Sequence, residues 1–236
     1  MRSKTAVIVF IFCVMVASPV AAQIATDGTL GSQLILTGPD YAVTEDLGQR
    51  AGDNLFQSFE QYNINTGESA SFSGAANIQN VLSRVTGGNA SIIDGLLHSA
   101  ITQADAYLLN PAGVVIGPNS SLDISGNLVI TSADYLDMTD DERFYANPLE
   151  SSVLSTAAPQ SLGFLWAPAD TVSVNGTQYA MPADKTTSLV SGEISIINGA
   201  DIRAAGGGIN IVAVGSAGEV DLSVVQPVLS GFTSLG

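Results

Sequence analysis

The chain has 236 residues, of which 12% are charged, 46% apolar and only 6% aromatic, with 24 glycines. That length can bury a core in one large domain or two small ones, and its wealth of aliphatic residues excludes a disordered chain. Seven bases against 22 acids give a formal charge of −15, the wrong sign for gripping a nucleic-acid backbone or an anionic membrane surface.

The first residues read as a secretory signal. Arg2 and Lys4 precede an apolar run from Ala6 to Ala17, Ser18-Pro19 breaks it, and Val20-Ala21-Ala22 offers small residues to a signal peptidase. Residues 1–22 are therefore assigned to export by the Sec machinery, with cleavage after Ala22. A retained anchor would need about 20 apolar residues, and the run is shorter. Cleavage removes Arg2, Lys4 and Cys13, leaving Arg50, Arg84, Arg143, Lys185 and Arg203 against 22 acids, a net charge of 5 − 22 = −17. Without cysteine the mature chain, 23–236, has no disulfide and no thiolate metal site, so packing and backbone hydrogen bonds must hold it. No second hydrophobic span follows, so the mature product is expected to be soluble or peripheral.

From Thr26 onward, short β-branched and aliphatic stretches alternate with Gly, Asn, Asp and Ser. Ser69–Phe72, Ser91–Leu97, Ala106–Leu109, Val114–Ile116, Leu122–Ile124, Leu128–Ile130, Thr171–Val174, Glu193–Ile197, Ile209–Val214 and Val220–Val224 read as strands closed by turn-formers, an all-β pattern. Leu122–Gly126 followed by Asn127–Ile130, and Asp201–Gly206 followed by Ile209–Val212, each give a strand, a glycine-marked corner and a second strand. That suits a β-solenoid, with rungs about 4.8 Å apart over a narrow aliphatic core. Periodicity is not strict, so a sandwich remains open on pattern alone. At Thr139-Asp140-Asp141-Glu142 a capping-box pattern predicts a short helix or turn over 139–147, stopped before Pro148. Asn147–Pro168, with three prolines, is expected to be an irregular loop within one domain.

The inventory for catalysis is thin. His98, the sole histidine, reads as a surface or turn residue, and no Gly-x-Ser-x-Gly elbow accompanies it. One histidine without cysteine makes zinc an unsuitable cofactor. Asp134, Asp137, Asp140, Asp141 and Glu142 form the densest acidic group, yet they lack the spacing of a calcium loop. No cofactor, metal or catalytic residue is assigned. Three Asn-x-Ser/Thr sequons start at Asn89, Asn119 and Asn175. Phe56, Phe59 and Tyr62 fit either a sugar-stacking strip or core aromatics. Asn110-Pro111, with Gly113 after it, reads as a structural corner or a docking site: proline fixes φ and glycine permits the return into Val114–Ile116.

Several segments in order carry a family resemblance. Asn54–Ile64 (NLFQSFEQYNI), Asn80–Gly88 (NVLSRVTGG), Ile93-Asp94-Gly95 and Leu108–Asn119 (LLNPAGVVIGPN) are similar to the N-terminal secretion domain of the filamentous haemagglutinin family, the exported partners of bacterial two-partner secretion. The likeness is strongest over 26–145 and continues through Gly163–Trp166, Ser188–Gly192 and Gly207–Ile211. It implies an all-β fold, a right-handed parallel β-helix (a single-stranded solenoid) with an N-terminal β cap and a short helical or loop excursion. It also implies an outer-membrane barrel transporter with periplasmic receptor domains as partner, which recognises the unfolded or partly folded domain. Export then leads to a secreted or cell-surface location, where the domain nucleates the β-helix of a haemagglutinin or adhesin-like protein. Host or neighbour-cell glycans are possible further partners under that resemblance.

The family's Asn-Pro-Asn-Gly motif maps onto Asn110, Pro111 and Gly113, with Ala112 in place of its second asparagine. Its Asn-Pro-Asn-Leu motif has no clear match in the Phe72–Gln79 region. Two rival functions stay open at the level of residues: a β-helix polysaccharide lyase or hydrolase, and a self-standing carbohydrate-binding adhesive domain. The run Val228–Gly236 shows no polar capping segment, which leads to the expectation that the chain is a fragment of a longer exoprotein.

Overall fold

The computed structural model describes residues 24–166, 170–222 and 227–230. The signal segment with Ala22 lies outside the described residues, as do Ser223 and Val224 of the last expected strand.

The chain opens with a cap made of β1 (Ile24–Thr26), β2 (Asp40–Thr44), a 3-10 turn at Glu45–Leu47 and β3 (Gln49–Ala51). The first turn of the stack follows as β4 (Asn54–Tyr62) and β5 (Ser69–Ser73). The second holds β6 (Asn80–Val85), β7 (Ser91–Ile93) and β8 (Leu96–Ser99), and the third β9 (Asp105–Leu109), β10 (Val114–Ile116) and β11 (Ser121–Asp123). The fourth begins at β12 (Leu128–Thr131) and leaves the stack through β13 (Tyr135–Met138), β14 (Arg143–Tyr145) and β15 (Pro159–Phe164). It returns as β16 (Thr171–Asn175) and β17 (Gln178–Met181). β18 (Thr187–Ser191), β19 (Glu193–Ile197), β20 (Asp201–Ala204) and β21 (Ile209–Ala213) continue it, before β22 (Gly218–Asp221) and β23 (Val228–Ser230) join the side excursion.

The stacked strands pair in parallel on three faces: β4-β6-β9-β12-β18-β21, then β7-β10-β16-β19, then β2-β5-β8-β11 with the β17-β20 pair. The expected solenoid is therefore the fold. Hydrogen bonds between equivalent residues of successive turns span 26 residues from Asn54 to Asn80 and 22 from Asp105 to Asn127. They span 59 from Asn127 to Thr186, where the excursion is inserted, and 22 again from Ser188 to Asn210. β3 and β1 lie antiparallel along one edge of β4, against Asn54–Phe56 and Phe59–Tyr62. That blocks the edge from pairing with another chain.

The first face is buried on both sides, which explains its nearly continuous apolar runs. Leu55, Phe59, Val81, Leu108, Leu128, Ile130 and Leu189 fill the solenoid interior. Phe56, Leu82, Leu109, Val129 and Val190 point outward into a second core under the antiparallel side sheet β14-β13-β15-β22-β23. Phe59 and Tyr62 thus sit inside the solenoid and Phe56 outside it, all at most 1% exposed, which makes them core aromatics rather than a sugar-stacking strip.

Two expectations, over Asn147–Pro168 and Ser91–Leu97, are corrected. Of the helix or turn expected over 139–147 the turn forms: Thr139–Glu142 closes a β13–β14 hairpin, with Asp141 at φ +63° and the Met138 amide donating to the Glu142 carbonyl at 2.9 Å. A helix of that length is marginal alone. Strand alternation instead drives Leu136, Met138 and Phe144 into the second core, with the Phe144 ring edge-on to Phe56 at 5.0 Å. The irregular loop expected over Asn147–Pro168 contains β15, which bridges β13 and β22; Pro159 is tolerated because it opens the strand. Ser91–Leu97, read as one strand, divides into β7 and β8 at the Asp94-Gly95 corner.

Candidate functional site

Asn110–Gly113 links β9 to β10. The Gly113 amide donates to the Asn110 carbonyl at 2.8 Å, and the Ala112 amide donates to Asn110 Oδ1 at 3.0 Å. This is a tight turn with Asn first, Pro second and Gly last, each where the turn chemistry favours it. Gly113 has φ +94°, and a Cβ there would sit 2.6 Å from the Thr171 carbonyl oxygen. Only glycine meets both demands. Ala112 contributes a backbone amide to this turn, so the family's second asparagine is not needed to form it.

Asn110 is fully buried. Its Nδ2 donates to the Asn89 carbonyl and to Ser91 Oγ, both at 3.0 Å, tying the corner to the corresponding corner one turn back. The Ser91 amide in turn donates to the Gly113 carbonyl at 3.1 Å. Outside the turn lies a groove of about 190 Å³ walled by Thr86, Pro111, Ala112, Asp134, Asn147 and Pro148. Asp134 is half-buried there; burial raises its pKa, although the amides of Leu165 and Trp166 donate to its carboxylate.

Apart from Asp134 at the groove, the remaining candidates do not gather at this corner. His98 stands on the outer surface of β8, its Nδ1 2.9 Å from Asp123 Oδ2 on the next turn. The acidic group is dispersed: Asp137 pairs with Arg143 at 3.1 Å, Asp140 accepts from Ser155 Oγ at 2.6 Å, and Asp134 holds the 165–166 backbone. Among the described residues, no group of three or more His, Cys, Asp or Glu is placed to hold a metal ion. No helix among them is long and apolar enough to cross a membrane.

Arg84, which the sequence shows only as one of the mature chain's five bases and as part of the segment Asn80–Gly88, has a structural role that its neighbours along the chain do not reveal. It is 3% exposed on the outer side of the first face. Nε donates to Ser58 Oγ at 2.8 Å, Nη1 to the Tyr145 carbonyl at 2.6 Å, and Nη2 to Thr29 Oγ1 at 2.9 Å, with the guanidinium 4.9 Å from the Phe144 ring centre. Burial lowers its pKa and the charge of Asp27 works against that. One cation thus fastens cap, stack and side sheet together. An arginine among the apolar residues of Asn80–Val85 was the available signal.

The family model for the TPS secretion domain matches residues 22–229. The chain belongs to the TPS secretion domain family. It is a two-partner secretion exoprotein, exported across the outer membrane with a transporter as its partner. The matched span contains every described strand of the stack, so this TPS domain is the solenoid itself. Its Asn-Pro-Ala-Gly corner lies inside that span, between the third turn's first two strands. The TPS secretion domain is a secretion module, not a known enzyme family. No curated protein matches the sequence.

Proposed function

We propose that this TPS domain is the export signal of a haemagglutinin or adhesin-like exoprotein. After Sec export and signal-peptidase cleavage behind Ala22, periplasmic receptor domains of an outer-membrane barrel transporter recognise it. The chain then crosses the barrel, folds outside and nucleates the β-helix. The observation that carries this reading is the family match over 22–229. The composition of the mature chain supports it: no cysteine, a single tryptophan and few charges suit a chain that crosses a barrel extended. The parallel stack supports it too, because long-range pairing is slow and leaves time for transit.

Asn110, Pro111 and Gly113 are the proposed recognition residues. The burial of Asn110 sets the order of events: in the folded domain its amide is spent on Asn89, Ser91 and Ala112, so a receptor reads it before β10 docks on β7. Exported adhesive domains of this kind can then meet glycans on host or neighbouring cells.

The test is release into the medium with and without the transporter, comparing Asn110→Ala with Leu189→Ala, a fully buried core residue far along the stack. Both variants lower folded stability, by about 2–4 kcal/mol for the lost buried hydrogen bonds and about 2–5 kcal/mol for the truncated leucine. Transporter-dependent release that falls with Asn110→Ala and holds with Leu189→Ala supports recognition at the corner. Equal losses reduce Asn110 to a folding residue, and release without the transporter overturns the export mechanism.

A further inference from the structure

Buried hydroxyls in the later turns pair with one another, Ser120 with Thr177 and Tyr179 with Thr187, whereas polar atoms near the cap, among them Gln57 Oε1, lack partners. The inward column Gln57, Ser83, Leu108, Ile130, Leu189 runs through registered positions of β4, β6, β9, β12 and β18. Its first two members are polar. Gln57 has a partner on one side, donating Nε2 to the Thr44 carbonyl at 3.1 Å and so fixing β2 of the cap. Ser83 has none: its Oγ is buried without a hydrogen-bond partner, and so is the phenolic oxygen of Tyr62.

Both residues line one small space, together with Phe72, Leu97, Ala106 and Leu108. The phenol ring is fixed, edge-on to Phe59 at 4.9 Å and stacked on Phe72 at 6.2 Å. Serine, smaller than the Leu108 beside it in the column, leaves the gap. The volume open to the centre of a water molecule is about 10 Å³. One water needs roughly 10–15 Å³ on that measure, and two to four polar partners.

We infer that the core of the solenoid contains a binding site for a single water molecule, held between Tyr62 Oη and Ser83 Oγ. The phenol donates to the water oxygen and the water donates to the serine hydroxyl. This relieves two buried oxygens that would otherwise each forfeit their hydration. The site is chemically specific: two hydroxyls in an apolar wall accept water and offer nothing to neutralise an ion. The placement also has a local logic. The water lies where the stack is youngest, next to the Gln57 contact that fastens the cap, and the later positions of the column close over it with leucine and isoleucine.

The experiment is a crystal structure of the exported, folded chain, at a resolution that shows ordered solvent, for the wild type, Tyr62→Phe and Ser83→Ala. In solution, water-to-protein NOEs at Phe72 and Leu97 methyl and ring protons provide a second readout that does not depend on the lattice. The expected result is one ordered water within about 2.7–3.2 Å of both oxygens and a long-lived water NOE in the wild type, with both signals lost in each variant. Direct contact of Tyr62 Oη with Ser83 Oγ, a space without solvent density, or an NOE that persists in both variants would overturn the assignment.

Discussion

Replacing Arg84 with methionine tests whether the buried cation joins three parts of the domain. Methionine keeps much of the volume and the contact with Phe144, but it removes the charge and every donor. The Tyr145 carbonyl, Ser58 and Thr29 lose their partner, and Asp27, bonded to Ser58 at 2.6 Å and Thr86 at 2.9 Å, loses the cation nearby. Breaking a buried ionic network by deleting one member costs about 3–5 kcal/mol. With a urea dependence of about 2 kcal/mol per molar, the unfolding midpoint should fall by about 2 M. Arg84→Lys retains the charge but not the fork that serves three acceptors at once. It should fall by about half as much. The assay is equilibrium urea unfolding of the purified mature domain followed by far-ultraviolet circular dichroism. A midpoint for Arg84→Met within about 0.5 M of the wild type, or a lysine variant no better than methionine, would refute the hub. The reasoning predicts further that the side sheet loosens first, seen as early amide exchange over Tyr135–Tyr145.

Three further outcomes follow from single contacts. Gly113→Ala should destabilise the domain by at least about 1–2 kcal/mol from the positive φ alone, and further because its methyl meets the Thr171 carbonyl; thermal unfolding checks it, and an unchanged midpoint would show that the corner relaxes freely. Gly163→Ala places a methyl inside the Tyr135 ring that covers it, so it should cost about 1–3 kcal/mol as overpacking and break the 2.6 Å bond from Tyr135 to Glu219, with differential denaturation and the tyrosine near-ultraviolet signal as readouts. Asp27 gives a pH dependence: burial raises its pKa, but hydrogen bonds from Ser58, Thr29 and Thr86 outweigh this and hold it below the ordinary 3.8. Its stabilisation is therefore complete above that value and lost as pH falls through the lower folded pKa, so Asp27→Asn should flatten the acid limb of stability against pH below about 4.

Much of this protein can be read without its tertiary structure, because the fold is made of local signals repeated. Short β-branched stretches closed by Gly, Asn and Asp specify strands and corners. The order of Asn54–Ile64, Asn80–Gly88 and Leu108–Asn119 specifies the family, and Asn-Pro-x-Gly specifies a turn whose residue preferences are a matter of φ. What the tertiary structure decided is which face each strand turns inward and what covers its outer side. Phe56 and Phe59 look alike in sequence, yet one belongs to each core, because the first face is covered from outside by a side sheet, three of whose strands are inserted between β12 and β16. The same insertion converted a capping-box sequence at 139–147 into a hairpin, since alternation over Leu136, Met138 and Phe144 buries more against that face than a short helix can. It also gave Arg84 the Tyr145 carbonyl, 61 residues away, to add to Ser58 and Thr29, which lie 26 and 55 residues away in the stack and cap. Asn110 shows the division within one residue. Its place in a turn follows from its neighbours, whereas its complete burial depends on the backbone of Asn89 one turn below, a distance no local pattern records.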